Sequence, residues 1–292
     1  MDTSRQLHEA EATGWQRGLY DDLKRTFRAP FVNWIFRTAM ANVPEFLRYA
    51  WWQLKPMFGT RQFARYTVAH RDALLSAVED DLPAYRRETL EIAPAEYREL
   101  KTQLATFDVV SSRLAAFFEV MKRSLEGGDV ATVDPTERAA MAPFPDWLDA
   151  DRGGEPTMVA FDAVPPELDE TIPELKSFHG FDEGLPSIYR CLAQWPAFLA
   201  RLWDDVGDVL TGEQFVSARE AASERTAEFV ESLPAAPRLT PEDLRSVGFD
   251  DDLVADVRAL FRRFDGGPAT TVVPALPIFA STVGVAGPRR LD

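Results

Sequence analysis

Apolar residues recur three and four positions apart over most of this chain, so the pattern predicts helices almost throughout. Leu19, Leu23 and Phe27 share a face of one predicted helix over residues 15–27. Pro30 can open the next, with Phe31, Trp34, Ile35 and Thr38 on its inner side. Pro44 starts a third, burying Phe46, Leu47, Tyr49, Ala50 and Trp51. Gly59 suits a helix stop and Thr60 a cap, which predicts a long helix over 62–82. Residues 94–127 predict two helices with a break near Asp108. Thr240-Pro241 reads as a cap with proline at the first helical position, ahead of an amphipathic stretch over 249–264. Pro268, Pro274 and Pro277 predict that any last helix is irregular. Strand signals are confined to residues 157–161 and 270–273.

The pattern repeats. At an offset of 152, Pro44 falls on Pro196, Phe46 on Phe198, Leu47 on Leu199, Trp51 on Trp203 and Phe63 on Phe215. Shifting by one residue ahead of the proline sets Arg37 on Arg190. Leu100, Phe107 and Asp108 match Val257, Phe264 and Asp265 at an offset of 157. Two copies of one helical unit explain these spacings, over residues 15–126 and 184–283. Residues 127–183, rich in proline, then read as a linker with short helices; 1–14 and 284–292 read as flexible tails. The predicted architecture is all-α: two homologous repeats forming a pseudo-dimer with a pocket at their interface.

Composition narrows the function. Thirty-two basic residues stand against 47 acidic, a net charge of −15, and only 5 of the basic residues are lysine. Such a surface stays soluble at high salt, which suggests an acidic, halophilic protein, and it repels a phosphate backbone, so nucleic acid is not expected as a partner. There is no apolar run of 18 residues and no basic-then-apolar leader, so no membrane association and a cytoplasmic location are expected. Cys191, the single cysteine, excludes an intrachain disulfide and reads as a buried small hydrophobe. Motifs for metals, nucleotides and serine nucleophiles are missing.

Residues 20–51 (YDDLKRTFRAPFVNWIFRTAMANVPEFLRYAW) and 184–206 (GLPSIYRCLAQWPAFLARLWDDV) resemble the group I 2-haloacid dehalogenases. The resemblance implies an all-helical pseudo-dimer that hydrolyses both enantiomers of 2-haloalkanoic acids. Activated water attacks the α-carbon directly, without a metal or organic cofactor. It further implies that Phe31 and Trp34 are pocket aromatics, that Ser187 is a pocket serine, and that the family's water-activating aspartate falls on Ile188. The supporting asparagine and tyrosine fall on Ser111 and Leu114.

An isoleucine accepts no proton, so other bases come into question. Asp108, its repeat partner Asp265, and His179 are the candidates; mutual repulsion of two facing carboxylates would raise one of them. The structural alternative for each aspartate is a helix cap or a solvated charge. His70, beside Arg71 and Asp72 on the predicted 62–82 helix, reads as a surface residue. Arg37 and Arg190 can clamp a substrate carboxylate bidentately or form a salt bridge at the seam. Two functions stay open: a dehalogenase-type hydrolase with a different base, or a non-catalytic pocket that binds a small carboxylate or hydrophobic ligand. The expected partner is a small organic acid, and a homodimer stays open.

Overall fold

The computed structural model describes residues 1–2, 4–133, 142–149, 153–180, 184–265 and 268–291. Helices carry the described residues, with a single isolated bridge between Thr60 and Pro143. Among the described residues no helix is long and apolar enough to cross a membrane.

In the first half, α1 (Gly14–Phe27), α2 (Trp34–Asn42), α3 (Pro44–Leu54) and α4 (Arg61–Leu75) lead through a short α5 (Arg87–Leu90) to α6 (Pro94–Glu126). After α7 (Thr171–His179), the second half runs α8 (Ser187–Leu192), α9 (Pro196–Thr211), α10 (Glu213–Glu231), α11 (Pro241–Ser246), α12 (Asp251–Asp265) and α13 (Pro268–Thr282). The helix starts keep the sequence offsets: Pro44 to Pro196 and Arg61 to Glu213 are both 152, and Pro94 to Asp251 is 157.

Local chemistry fixes most boundaries. Thr60 accepts from the Phe63 N–H at 3.1 Å, and Thr240 and Asp243 form a reciprocal capping box. Arg28 turns left-handed (φ 51°) after Phe27 and ends α1. Proline opens α3, α6, α9 and α11, where its missing N–H is not needed. Pro30 does not open α2, which begins at Trp34 with Asn33 as N-cap.

Helix α6 is the axle. Its 33 residues span about 50 Å, and α4, α10, α12 and α13 pack around it. The expected break near Asp108 does not occur. Asp108 is poor in helix propensity, but its carboxylate accepts from Arg71 Nε at 2.8 Å and from the Gly287 N–H at 3.0 Å, so its buried place in α6 is compensated. A second buried pair, Arg113 on α6 with Asp149, ties the connecting segment to the same helix.

The last helix also differs from expectation. Residues 268–282, including the supposed strand 270–273, form α13 despite two internal prolines. Pro274 and Pro277 lack the N–H groups that would reach Thr270 and Val273 four residues earlier. Side chains from neighbouring helices take those places: Arg219 Nη1 donates to the Thr270 carbonyl and Ser111 Oγ to the Val273 carbonyl, at 3.3 and 2.7 Å. Conversely α4 stops at Leu75, short of the predicted 82.

Both supposed tails are pinned. Leu7 N–H donates to the Arg37 carbonyl, Tyr20 hydroxyl to the Leu7 carbonyl, and Val32 N–H to Glu9. At the other end Arg71 Nη1 donates to the Pro288 carbonyl, and Arg289 pairs with Asp72 and Glu79.

Candidate functional site

A cavity of about 110 Å³ lies between the first turns of α2 and α8, the middle of α6, the end of α12 and the start of α13. By the same measure a single water needs about 10–15 Å³, so a molecule of several heavy atoms fits. Helical periodicity builds the wall: Phe107, Val110, Leu114 and Phe118 form one stripe of α6, and Ala269, Val272, Val273 and Leu276 form the facing stripe of α13. Trp34 stands edge-on to Phe264, with ring centroids 5.4 Å apart.

Polar groups are few. Asn33, Trp34 and Ser187 supply them, and none of the fifteen lining residues is acidic, basic or histidine. Trp34 Nε1–H is buried with no hydrogen-bond partner. A buried donor costs free energy unless something accepts from it. The first turn of α2 adds to this, because helix geometry leaves its leading N–H groups without intrahelical acceptors and Asn33 makes no side-chain cap bond. The site is therefore an apolar chamber whose few polar residues stand at the starts of α2 and α8.

The structure brings four of the six expected pocket residues together: Trp34, Leu114, Ser187 and Ile188 all line the cavity. Ile188 is buried to 1% exposure, and its side chain is part of the wall at the position where the resemblance puts the family's aspartate. Phe31 stands one layer back, against Phe107 at 5.6 Å. Ser111 is committed to α13 through the Val273 carbonyl and does not line the cavity.

The expected bases lie elsewhere. Asp108 is locked to Arg71, and Asp265 pairs with Lys122 at 3.2 Å. Asp108 and Lys122 are 14 residues apart on one helix, roughly 21 Å, so the two aspartates do not confront each other. His179 joins three helices instead: Nδ1 meets Thr271 Oγ1 at 2.8 Å, and Nε2 meets the Tyr189 hydroxyl. Arg37 and Arg190 lie within electrostatic reach of each other, but Arg37 Nε donates to Gln6 Oε1 and Arg190 Nε to the Val159 carbonyl. Neither lines the cavity. Asp182 and Glu183, just ahead of Pro186 in the sequence, lie outside the described residues. Cys191 is buried against Gln103, and burial pushes its thiol pKa up, as fits an inert residue.

His70 is not at the surface but 3% exposed. Burial, and then the neighbouring Arg71 charge, push its pKa down to about 3; burial, then Arg219, does the same to His179. A folded pKa below the usual 6.5 means that the unfolded chain binds the proton first. Stability from these groups is present above about pH 6.5 and falls as pH drops towards 3, with a slope of up to about 1.4 kcal/mol per unit for each histidine. Denaturant titrations between pH 7 and 5 should show this slope, reduced in His70→Gln. A flat profile would mean that neither imidazole is neutral by burial.

Sequence reasoning missed Asn33, Phe107, Val110, Phe118 and the whole α13 stripe. The spacing of 107, 110, 114 and 118 was the available signal. The α13 stripe was hidden by its prolines.

The chain is similar to known proteins. The family described as Halocarboxylic acid dehydrogenase DehI matches residues 30–171. An (R)-2-haloacid dehalogenase of Rhizobium sp. (strain NHG3) is 25% identical over 246 residues, 80% of this chain and 90% of that protein. An (R)-2-haloacid dehalogenase of Pseudomonas putida is 22% identical, over 84% and 82%. Among solved structures, a D-2-haloacid dehalogenase with L-LA superposes with a TM-score of 0.82, covering 95% of both chains at 19% identity. A D-2-haloacid dehalogenase mutant with D-2-CPA gives 0.81 over the same shares, also at 19% identity. These likenesses establish the fold.

Proposed function

We propose, from the likeness to proteins named (R)-2-haloacid dehalogenase, that the apolar cavity of this chain takes short 2-halocarboxylic acids and holds them without efficient hydrolysis. The function is dehalogenase-like in kind. The finer reading concerns the step that this sequence omits. The observation that carries it is the lining: Ile188 is in the wall, and none of the described lining residues is a carboxylate or an imidazole that could take a proton from water.

The ligand's orientation follows from where the donors are. Its carboxylate lies against Trp34 Nε1–H and the positive end of α2, while the halogen and alkyl part contact Leu114, Phe118 and Ile188. The curated relatives are named for the (R) enantiomer, so (R) acids are the first choice here in place of both hands. Residues 15–126 and 184–283 are read as two copies of one unit with this cavity at their seam. The shared offsets of their helix starts, and a lining drawn from both halves, support that reading.

Calorimetry with (R)- and (S)-2-chloropropionate, alongside halide release, tests the proposal. Saturable binding of the (R) acid with negligible halide release is expected. Rapid release would favour the hydrolytic reading that the named relatives suggest, with a base brought from outside the described lining. Trp34→Phe should weaken binding by roughly ten- to hundred-fold, the value of a hydrogen bond to a charged group. It should leave thermal stability unchanged or slightly raised, since the removed donor is unmet in the free protein. Unaltered affinity would place the carboxylate elsewhere.

A further inference from the structure

Beside the apolar cavity, and sharing Phe118, Ala269 and Val273 with it, a cleft of about 290 Å³ opens between α4, α6, α10 and α13. Two of its polar groups are unmet: His70 Nδ1 and Arg219 Nε are both buried with no hydrogen-bond partner. We infer that this cleft is a second binding site, for a short hydroxycarboxylate, with Arg219 holding the carboxylate and His70 the hydroxyl. The inference does not rest on the reading of the apolar cavity.

Each part of the assignment has its own reason. Arg219 is held from two sides, by Nη1 donating to the Thr270 carbonyl and by the guanidinium lying 5.5 Å from the Phe215 ring centroid. Its position is therefore fixed before any ligand arrives, and its Nε–H is a buried donor with no partner. A fixed guanidinium favours a carboxylate. His70 is 97% buried, and burial keeps its imidazole neutral, so it offers a hydrogen bond and no charge. A hydroxyl can donate and accept, so it pairs with Nδ1 in either tautomer. Ala115, Phe118 and Pro274 supply an apolar wall that suits a short alkyl chain.

Acidic residues at the rim do not oppose this. Glu119 is paired with Arg123 at 2.6 Å, and Asp265 with Lys122 at 3.2 Å. Glu220 is exposed, where solvent screens it. The inner end of the cleft keeps a net positive guanidinium.

Titrating the full chain, with ¹⁵N-labelled histidine, against 2-hydroxypropionate reads the site directly, and loss of a resonance in His70→Gln assigns it. A saturable shift of the His70 ring nitrogen is expected, with propionate roughly ten-fold weaker for want of the hydroxyl. Ser223→Trp, at the exposed rim, should abolish the shift without disturbing the core. Leu114→Phe, which fills only the neighbouring cavity, should leave it intact and instead remove 2-chloropropionate binding. Absence of a saturable shift overturns the inference, as does a shift that Leu114→Phe removes and Ser223→Trp spares. If Leu114→Phe has no effect on any ligand while Ser223→Trp abolishes the hydroxyacid response, the apolar-cavity reading fails and this one stands.

Discussion

Ile188→Asp should turn a protein that binds (R)-2-chloropropionate into one that releases chloride from it. Ile188 lies in the first turn of α8, in the cavity wall, with only 1% exposure. A carboxylate placed there faces Leu114, Phe118 and Val273, surroundings that disfavour its charged form and raise its pKa toward the range of a general base. It would take a proton from water as the water oxygen bonds the α-carbon and chloride departs with the carbon–chlorine electrons. Attack from the face opposite chlorine gives (S)-2-hydroxypropionate. A positioned base contributes about 10²–10⁴-fold, and the gain should fall at the low end, because Ser111 is committed to the Val273 carbonyl and Leu114 offers no hydrogen bond. Ile188→Asn, similar in size but unable to take the proton, should bind and release nothing. Chromatographic chloride assays and chiral product analysis decide it. A folded Ile188→Asp variant that binds the acid and liberates no chloride would mean that the cavity does not place the α-carbon within reach of that position.

What the sequence made legible was whatever is decided within a few residues. The starts at Pro44, Pro196 and Pro241 and the caps at Thr60 and Thr240 are local chemistry, and they fall where predicted. The offsets read from the sequence recur as the spacings of the helix starts. Elements whose fate depends on a distant partner were misread. Asp108 signals a break only until Arg71 and Gly287 are placed beside it, and the prolines of α13 signal irregularity only until Arg219 and Ser111 reach its carbonyls. His70 looked like a surface residue because its neighbour Arg71 is charged, yet that charge is itself buried and paired. The site divides in the same way. Trp34, Ser187 and Ile188 stand at helix starts, where order along the chain fixes position. Arg190 lies two residues beyond Ile188, about 200° round the helix, and turns to Val159, while Arg37 turns to Gln6.

Asp108→Ala should cost about 3–5 kcal/mol of stability while leaving ligand binding in the apolar cavity unchanged. Arg71 and Asp108 are 2% and 0% exposed, so removing the carboxylate strands a guanidinium charge in the interior. The substitution also frees the Gly287 N–H, and with the Arg71 bond to the Pro288 carbonyl loosened, the C-terminal segment loses two of its anchors. A shift in Tm on the order of 10 °C is expected from that loss, together with faster hydrogen exchange at Gly287. Asp108→Asn should be almost as damaging, since an amide can accept from Arg71 but brings no compensating charge. The double change Arg71→Met with Asp108→Leu separates the two contributions: an apolar pair of similar volume removes the stranded charge, so the double variant should be more stable than either single carboxylate variant. A loss below about 1 kcal/mol in Asp108→Ala would show that solvent reaches the pair and that α6 owes its continuity to something else. Weakened 2-chloropropionate binding in a variant still folded at the assay temperature would return Asp108 to the list of residues that serve the cavity.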